Sequence, residues 1–270
     1  MLSKDTQLCI SMSGNPSNIG TRFHNRLYDE LGLDYVYKAF SPPDLEQAVA
    51  GIRGLPIRGA AVSMPFKEQV IPMLDRLDES AKAIDSVNTI VNDDGVLTGY
   101  NTDYSAVASL LASHGVPTDL TIAVRGSGGM GKAVVAACRD TGFTRGTVVA
   151  RNVDTGRALV EQYGWEHSRE VPEGTRVLVN VTPLGMAGGD GEGQLSFTEA
   201  EIDAADWIVD VVAKPSETPL IAAARERGKS VITGAEVIAL QAAEQFVLYT
   251  GVRPTDEQTR AASEFSRSKA

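Results

Sequence analysis

The sequence has few of the residues on which disulfide-stabilised and metal-binding proteins depend. Its 270 residues include two cysteines and three histidines. Cys9 falls in a predicted strand and Cys138 in a predicted helix, and the pair lacks metal-ligand spacing. We therefore expect buried free thiols in a reducing compartment, and we predict no metal site.

Three other absences narrow the class of protein. No apolar run approaches the roughly 18 residues of a membrane span, and residues 1–7 lack the apolar segment of a signal peptide. The net charge of −10 lacks the basic surplus of nucleic-acid or anionic-membrane binders. We expect a cytoplasmic globular protein of two domains, with no nucleic-acid or membrane partner.

What the chain does have is an alternation of strand and helix patterns, which predicts an α/β fold with mostly parallel sheets. The predicted strands are 7–12, 35–40, 59–63, 87–92, 96–100, 120–124, 147–150, 176–181, 207–212 and 230–233. The predicted helices are 21–31, 44–52, 67–73, 81–84, 104–114, 132–139, 154–163, 219–227 and 237–249. The Asp94-Gly95 turn makes the strands at 87–92 and 96–100 a hairpin.

A glycine-rich turn lies between the predicted strand 120–124 and the helix at 132–139. Gly126, Gly128 and Gly131 have the G-x-G-x-x-G spacing. The first glycine permits a tight turn, the second close approach of a pyrophosphate, and the third close helix–strand packing. The unpaired N–H groups of the helix then face the phosphates. The stretch therefore predicts a dinucleotide site, although glycine turns also occur simply to reverse a chain.

The residues after the next strand indicate which dinucleotide is bound. NAD-binding units usually carry a carboxylate there for the ribose hydroxyl, whereas this chain has Ala150-Arg151-Asn152. The planar fork of Arg151 suits a 2′-phosphate, so we predict NADP. A solvated loop arginine is the alternative, and Arg157 is a second candidate. Arg125 stands where an apolar strand residue is expected and has no predicted role.

Seven motifs along nearly the whole chain resemble those of the shikimate dehydrogenase family, in the same order. They are Ala61-Val-Ser-Met-Pro-Phe-Lys67, Ser86-Val-Asn-Thr89, Tyr100-Asn-Thr-Asp103, Gly126-Ser-Gly-Gly129, Asn180-Val-Thr-Pro-Leu-Gly-Met186, Asp210-Val-Val-Ala-Lys-Pro215 and Gln241-Ala-Ala-Glu-Gln-Phe246.

The resemblance implies a domain plan and an activity. It implies an N-terminal substrate domain (1–102), an NADP-binding Rossmann domain (103–236) and C-terminal helices (237–270) that pack back on the first domain. The implied enzyme transfers hydride between NADP and a hydroxylated ring acid such as shikimate, in aromatic amino acid biosynthesis. It would be a monomer or homodimer with a small-molecule substrate. His24 is expected to pack between the domains.

By position, Lys67 and Asp103 match the catalytic pair of the family. The chemistry is sound, because oxidation of a secondary alcohol needs a group that accepts the hydroxyl proton. A lysine with a lowered pKa, or one in a relay with an aspartate, does this. Read singly, they would be a surface lysine and a helix-capping aspartate.

The resemblance also assigns substrate and cofactor contacts. Ring hydroxyls would be held by Ser63, Asn88, Asp103 and Gln241, with the loop positions Asn18 and Gly20 nearby. The nicotinamide would lie near Asn180, Thr182 and Met186. The full predicted cofactor set is Gly126, Ser127, Gly128, Gly129, Met130, Gly131, Arg151, Asn152, Asn180, Thr182, Met186, Val211 and Gly234.

The sequence departs from the family where the substrate carboxylate would bind. The Ser-x-Ser pair of the family aligns with Asn18 and Gly20, and its tyrosine aligns with Ala213. Each hydrogen bond to a charged carboxylate is worth about 1.5–3 kcal/mol, so shikimate turnover should fall roughly 10³-fold. The pattern resembles the shikimate dehydrogenase-like group, and shikimate is expected to be a poor substrate.

Two alternatives stay open at this point. In the first, the chain is an ordinary shikimate dehydrogenase in which Ser17, Thr21 or Arg22 replaces the missing contacts. In the second, it is a non-catalytic nucleotide-sensing or partner-binding protein on the same fold. Retention of both Lys67 and Asp103 argues against the second alternative.

Overall fold

The computed structural model describes residues 2–268. The chain divides into two compact units. Unit 1 contains the residues up to Thr102 together with those from Ala239 onward, and unit 2 contains Asp103–Ile238. A six-stranded sheet lies in each unit. The predicted α/β class is confirmed.

The strands are β1 (Gln7–Met12), β2 (Tyr35–Phe40), β3 (Gly59–Val62), β4 (Arg76–Leu77), β5 (Thr89–Asp93), β6 (Val96–Tyr100), β7 (Ile122–Arg125), β8 (Gly146–Val149), β9 (Glu166–Ser168), β10 (Val177–Asn180), β11 (Trp207–Asp210) and β12 (Ser230–Ile232). The α-helices are α1 (Ile19–Glu30), α2 (Leu45–Gly54), α3 (Glu79–Lys82), α4 (Thr102–Ser113), α5 (Gly129–Asp140), α6 (Val153–Tyr163), α7 (Glu199–Ala204), α8 (Pro219–Glu226), α9 (Gly234–Thr250) and α10 (Asp256–Arg267).

The sheet of unit 1 has the order β2-β1-β3-β5-β6-β4. Strand β1 is parallel to β2 and β3, whereas β5 is antiparallel to both β3 and β6. The predicted hairpin is confirmed, and Asp94 and Gly95 both adopt positive φ at its turn, as a two-residue hairpin loop requires. Strand β4 is parallel to β6, so three of the five pairings in this sheet are parallel and the expectation of a mostly parallel sheet is confirmed.

The predicted helix at 67–73 is wrong. This segment forms turns followed by a single 3₁₀ turn at Ile71–Met73. Pro72 explains the difference, because it has no N–H to donate and it disfavours helical backbone at Ile71. The segment therefore lies as a turn-rich loop between β3 and β4, and it carries Lys67.

Three short elements and the longer helix α10 were not anticipated individually. Strands β4 and β9 contain two and three residues, too few to display an alternating pattern. Helix α7 has six residues, and its only sequence signal is the capping box that Thr198 and Glu201 form. Helix α10 begins with a similar box at Thr255 and Gln258. In unit 1, α10 packs along α1.

The sheet of unit 2 has the order β12-β11-β10-β7-β8-β9, and its pairings are parallel. This is the doubly wound order of dinucleotide-binding folds. The direction of winding reverses between β7 and β10. In such sheets the ligand crevice lies at that switch point, outside the carboxyl ends of the strands.

Among residues 2–268, no helix is long and apolar enough to span a membrane. The same residues contain no group of three or more histidine, cysteine or acidic side chains arranged to hold a metal ion. Cys9 and Cys138 are both buried free thiols.

His24 lies inside unit 1, so the expectation that it packs between domains is wrong. Its side chain is 1% exposed, and its ring stacks on Tyr37 with centroids 4.4 Å apart. Phe246 of α9 stacks at 6.2 Å. The helix brings His24 to the core because its neighbours Phe23 and Leu27 face the same way and are fully buried. Burial lowers the pKa of His24 from 6.5 to about 3, against a weaker opposing hydrogen bond with Gln245.

This burial predicts an acid-sensitive fold. The unfolded chain takes up a proton as pH falls through 6.5, whereas the folded chain does not until pH nears 3. Stability is therefore lost across that window, by about 2 kcal/mol at pH 5 for this group. His24→Phe keeps the ring stacking and removes the titration. The drop in unfolding free energy between pH 7 and pH 5, measured by urea denaturation, should shrink by about 2 kcal/mol in the variant.

His114→Gln is the matched control, since it replaces an exposed histidine. That control should show the wild-type drop. An equal drop in His24→Phe and wild type would contradict the assignment of acid sensitivity to His24.

Candidate active site

The glycine turn follows β7 directly in unit 2. Gly126 has φ +121°, and a Cβ there would lie 2.7 Å from Cγ2 of Val181. A Cβ on Gly131 would lie 2.8 Å from the carbonyl oxygen of Gly126, so helix and turn are in close contact. Positions Gly128 and Gly129 face open space at the start of α5. The first N–H groups of α5 are thus available to an anion.

A cavity of about 880 Å³ opens beside this turn, lined only by residues of unit 2. That volume is within the usual range of ligand pockets. Its walls are Arg125, Gly126, Ser127, Val149, Ala150, Arg151, Asn152, Arg169, Thr182, Pro183, Leu184 and Gln194. The structure thus brings together five predicted cofactor positions, namely Gly126, Ser127, Arg151, Asn152 and Thr182.

Arg151 reaches this wall because of a helix cap. Asn152 is the N-cap of α6, and its side-chain oxygen accepts from the N–H groups of Asp154 (3.0 Å) and Thr155 (3.2 Å). The Thr155 hydroxyl lies 2.7 Å from that of Ser127 on the glycine turn. The amide oxygen of Asn152 is thus used by the fold, and the exposed Arg151 beside it is the group available to a ligand.

The loop after β10 is held from beneath by a buried polar network. Asp210 is fully buried and accepts hydrogen bonds from Asn180 Nδ2 (3.0 Å), the N–H of Val212 (3.0 Å) and Thr218 Oγ1 (2.6 Å). Asn180 in turn accepts from the N–H (3.1 Å) and hydroxyl (2.6 Å) of Thr182. Burial raises the pKa of Asp210, and these hydrogen bonds oppose the rise.

Through this network Asn180 supports the loop after β10. Its side chain is 0% exposed and shapes the loop that carries Thr182 to the cavity wall. Met186, further along the same loop, is 39% exposed. Val211 donates its N–H to the carbonyl oxygen of Asn180. A Cβ on Gly234 would lie 2.3 Å from the carbonyl oxygen of Val212, so only glycine fits this close approach.

In unit 1, Asn88 is a buried hub that fixes the start of α4. Its Oδ1 accepts from the N–H of Thr102 (2.9 Å) and the hydroxyl of Thr89 (2.8 Å), and its Nδ2 donates to Thr102 Oγ1 (3.0 Å). Gln245 braces the same place by donating to the Asn88 carbonyl oxygen (3.2 Å) and to Thr89 Oγ1 (2.9 Å). Asp103 follows Thr102 in the first turn of α4.

Gln245 was missed by the sequence reasoning, which selected Gln241 one helical turn earlier. Gln245 is 5% exposed, whereas Gln241 is only partly buried. The available signal was the spacing itself, because residues four apart on a helix share a face. Arg169 was missed because the short strand that precedes it, β9, was missed too.

Lys67 lies in the turn that follows β3. The Met64–Pro65 bond is cis, and the Phe66 N–H donates to the carbonyl oxygen of Ser63 at 2.9 Å. The Lys67 carbonyl oxygen accepts from the N–H of Val87 at 2.9 Å, which ties the backbone of the lysine to the segment before β5. Ser63 is exposed and Lys67 is half-buried.

The first loop of unit 1 lies against the same turn, since the Gly14 N–H donates to the Met64 carbonyl oxygen at 2.9 Å. Asn18 is at the N-cap position of α1 but makes no capping hydrogen bond with its side chain. A Cβ on Gly20 would lie 3.5 Å from the ring of Tyr37, an ordinary contact. A serine at position 20 therefore fits without a backbone shift.

Arg22 points away from this loop. Its guanidinium donates to the carbonyl oxygen (2.8 Å) and hydroxyl (2.9 Å) of Ser268 and lies 4.6 Å from the Phe265 ring centroid. Both partners are at the end of α10 or just beyond it. Two of its five donors thus fasten α1 to the end of α10, and the assignment of Arg22 to a substrate carboxylate stays a prediction.

Comparisons with known proteins identify the family. Residues 17–90 match the model of the shikimate dehydrogenase substrate-binding domain. The chain is 53% identical over 270 residues to the shikimate dehydrogenase-like protein of Haemophilus influenzae, with all of both chains covered. The chain belongs to the shikimate dehydrogenase family.

Solved structures of the family agree with the fold described above. A structure of a shikimate 5-dehydrogenase-like protein is 53% identical and superposes with a TM-score of 0.97 over 99% of this chain and 100% of that one. The shikimate 5-dehydrogenase of Thermus thermophilus, solved with NADP(H) and shikimate, is 27% identical, with a TM-score of 0.86 over 96% of this chain and 99% of that one. The predicted family and its fold are confirmed.

The position of Arg22 predicts that its side chain contributes to stability and not to substrate binding. Arg22→Ala removes two hydrogen bonds and a cation–π contact to α10, so it should lower the free energy of unfolding by about 1–2 kcal/mol. Thermal denaturation measures this loss. The Michaelis constant for any ring-acid substrate should stay within about two-fold of wild type. A large rise in that constant without a loss of stability would return Arg22 to the substrate site.

Proposed function

We propose that this protein is an NADP-dependent oxidoreductase that transfers hydride between NADP and a hydroxylated ring acid. The observation that carries the proposal is the placement of Arg151 on the wall of the cavity beside the glycine turn, where the strand end offers no carboxylate for a ribose hydroxyl. An arginine there suits a 2′-phosphate and therefore NADP.

The residues present fit such a cofactor. Open space at Gly128 and Gly129 leaves room for a diphosphate at the start of α5. Arg151 would pair with the 2′-phosphate, and Thr182 and Met186 would lie towards the nicotinamide end. When bound, the nicotinamide supplies the hydride chemistry. One relative named above supports the same assignment, since the Thermus thermophilus enzyme was solved with NADP(H).

The proton of the reaction is assigned to Lys67 and Asp103. Lys67 accepts the proton of the substrate hydroxyl during oxidation and returns it during reduction. Asp103 positions the lysine and shares the proton. The fold supports both roles by fixing their backbones: Val87 anchors that of Lys67, and Asn88 holds Thr102, the residue before Asp103. The remaining ring hydroxyls are assigned to Ser63, Asn88 and Gln241.

The carboxylate end of the substrate is where this protein differs from its family. Asn18 and Gly20 replace a serine pair, Ala213 replaces a tyrosine, and Arg22 donates to Ser268. We propose that the physiological substrate lacks a carboxylate at the position it has in shikimate, or that this protein binds that carboxylate with other groups. In either case shikimate is oxidised poorly. The domain roles, the cytoplasmic location and a place in aromatic amino acid biosynthesis stay predictions of the resemblance.

The experiment that tests this function is NADP reduction by the purified protein with shikimate and with quinate, in wild type and Lys67→Ala. The variant should lose turnover at least 10²-fold, because the reaction loses its proton acceptor, while its dissociation constant for NADP stays near wild type. Lys38→Ala, which changes an exposed lysine of β2, is the control and should keep full activity. A substantial rate in Lys67→Ala would remove this lysine from the mechanism.

The non-catalytic alternative has its own signature in the same assay. It predicts tight NADP binding without turnover of any hydroxylated ring acid. No observation on the chain favours that alternative over the enzymatic one.

The rebuilt carboxylate end predicts a gain of function. The triple variant Asn18→Ser, Gly20→Ser and Ala213→Tyr restores hydroxyl donors at the three positions. At Gly20 an added Cβ makes only an ordinary contact with Tyr37. Its kcat/KM for shikimate should rise about 10- to 100-fold, the value of one charge-assisted hydrogen bond or more. Steady-state kinetics measures the change. The matched control, Asn18→Ala, Gly20→Ala and Ala213→Phe, lacks the hydroxyls and should show no gain. Equal rates in the two triple variants would mean that the carboxylate is held elsewhere.

A further inference from the structure

Two charged side chains on the wall of the nucleotide cavity, Arg125 and the exposed Arg169, have no part in the proposed function, and only Arg125 is partly buried. Arg125 is the last residue of β7, next to the glycine turn, and it lines the same cavity as Arg151. The three residues before it in β7 are buried and apolar, as expected for a parallel strand covered on both faces. An arginine at the end of such a strand calls for a physical reason.

The contacts of Arg125 leave its donors under-used. Its Cζ lies 4.8 Å from the ring centroid of Phe197, and its Nη2 lies 3.8 Å from Oε1 of Glu201. That separation is too long for a hydrogen bond. The Nε atom of Arg125 is buried, and none of the residues that the structure describes accepts a hydrogen bond from it. The side chain is 25% exposed, so it is neither free in solvent nor satisfied by the protein.

Such a position is costly unless something else completes it. Buried polar groups are nearly always hydrogen-bonded, and a partly buried cation loses hydration that its protein partners must replace. Burial lowers the pKa of Arg125, and Glu201 opposes the shift. An arginine stays protonated at neutral pH even so. A ligand in the cavity that presents anionic or acceptor atoms would meet the exposed part of this side chain and offset the lost hydration of the cation.

We propose that Arg125 is a nucleotide-binding residue whose guanidinium contacts the adenosine diphosphate portion that NADP and NAD share. The position of each arginine in the fold supports this division. Arg125 adjoins the turn that faces the diphosphate position, whereas Arg151 follows the next strand, β8, and is assigned to the 2′-phosphate. The inference rests on the proposed nucleotide site, and it divides the binding energy between two arginines with different targets.

If the two arginines bind different parts of the nucleotide, their variants should lose affinity for different sets of nucleotides. Arg125→Met keeps the length of the side chain and removes its charge, so it should weaken NADP, NAD and ADP by a similar factor of about ten or more. Arg151→Met should weaken NADP by a comparable factor and leave NAD and ADP within about two-fold. Isothermal titration with each of the three nucleotides measures the dissociation constants directly.

Two further variants separate a ligand contact from a structural role. Arg125→Lys keeps a cation and should recover part of the lost ADP affinity. Glu201→Gln removes the opposing carboxylate, and glutamine still serves the capping box of α7. It should raise ADP affinity, because the cation loses its competing carboxylate. An unchanged ADP affinity would count against the proposal, so this variant tests it even if Arg125→Met fails to fold.

The outcomes are distinct from those for the proposed function. If wild type binds none of the three nucleotides, the proposed function itself fails. If wild type binds them and Arg125→Met binds NAD and ADP equally well, only the role of Arg125 is overturned. A loss confined to NADP would also overturn it, because that pattern belongs to a 2′-phosphate contact. A ten-fold loss for all three, with partial rescue by Arg125→Lys, supports the proposal.

Discussion

The nucleotide crevice depends on one buried carboxylate, that of Asp210 at the end of β11. It accepts hydrogen bonds from Asn180, Thr218 and the backbone N–H of Val212, and through them it fixes the end of β10 and the start of α8. A buried carboxylate costs free energy unless its oxygens are fully satisfied. The network meets that condition with protein groups. These hydrogen bonds hold the loop that carries Thr182, and a loop held in this way lowers the cost of ordering on binding.

Unit 1 uses the same device with a neutral side chain. Asn88 ties the end of the strand pair to Thr102 at the start of α4, and Gln245 braces it from α9. In both units, buried polar residues at strand ends position the chain segments that bear the exposed chemistry. Of the arginines assigned to the nucleotide, by contrast, Arg151 is exposed and Arg125 is under-used. In a chain of net charge −10, the arginines on the nucleotide cavity form a local exception that suits an anionic ligand.

Sequence reasoning succeeded where the signal is local. The strand, glycine turn and helix at 122–140 follow from backbone freedom and short-range pattern, and the family motifs contain five of the twelve residues of the cavity wall. One error was local, because Pro72 is visible in the sequence and breaks the helix expected at 67–73. Another lies where tertiary contacts decide, since His24 is drawn into an aromatic core by Tyr37 and Phe246. The binding of Arg22 to Ser268, just beyond α10, is a tertiary contact too. Pairings over long sequence distances, such as Gln245 with Asn88, leave no periodic trace in the chain.

The measurement that tests this account most directly is the dependence of the initial rate of NADP reduction on shikimate concentration. The proposed function combines a hydride-transfer site like that of the family with a changed binding site for the substrate carboxylate. It therefore predicts a slow rate that rises linearly with shikimate and does not saturate at millimolar concentrations, with kcat/KM roughly 10³-fold below the usual 10⁴–10⁸ M⁻¹s⁻¹ of enzymes on their own substrates. Saturation at micromolar shikimate with turnover in the ordinary range would contradict it, and the protein would then be a full shikimate dehydrogenase that holds the carboxylate by other groups.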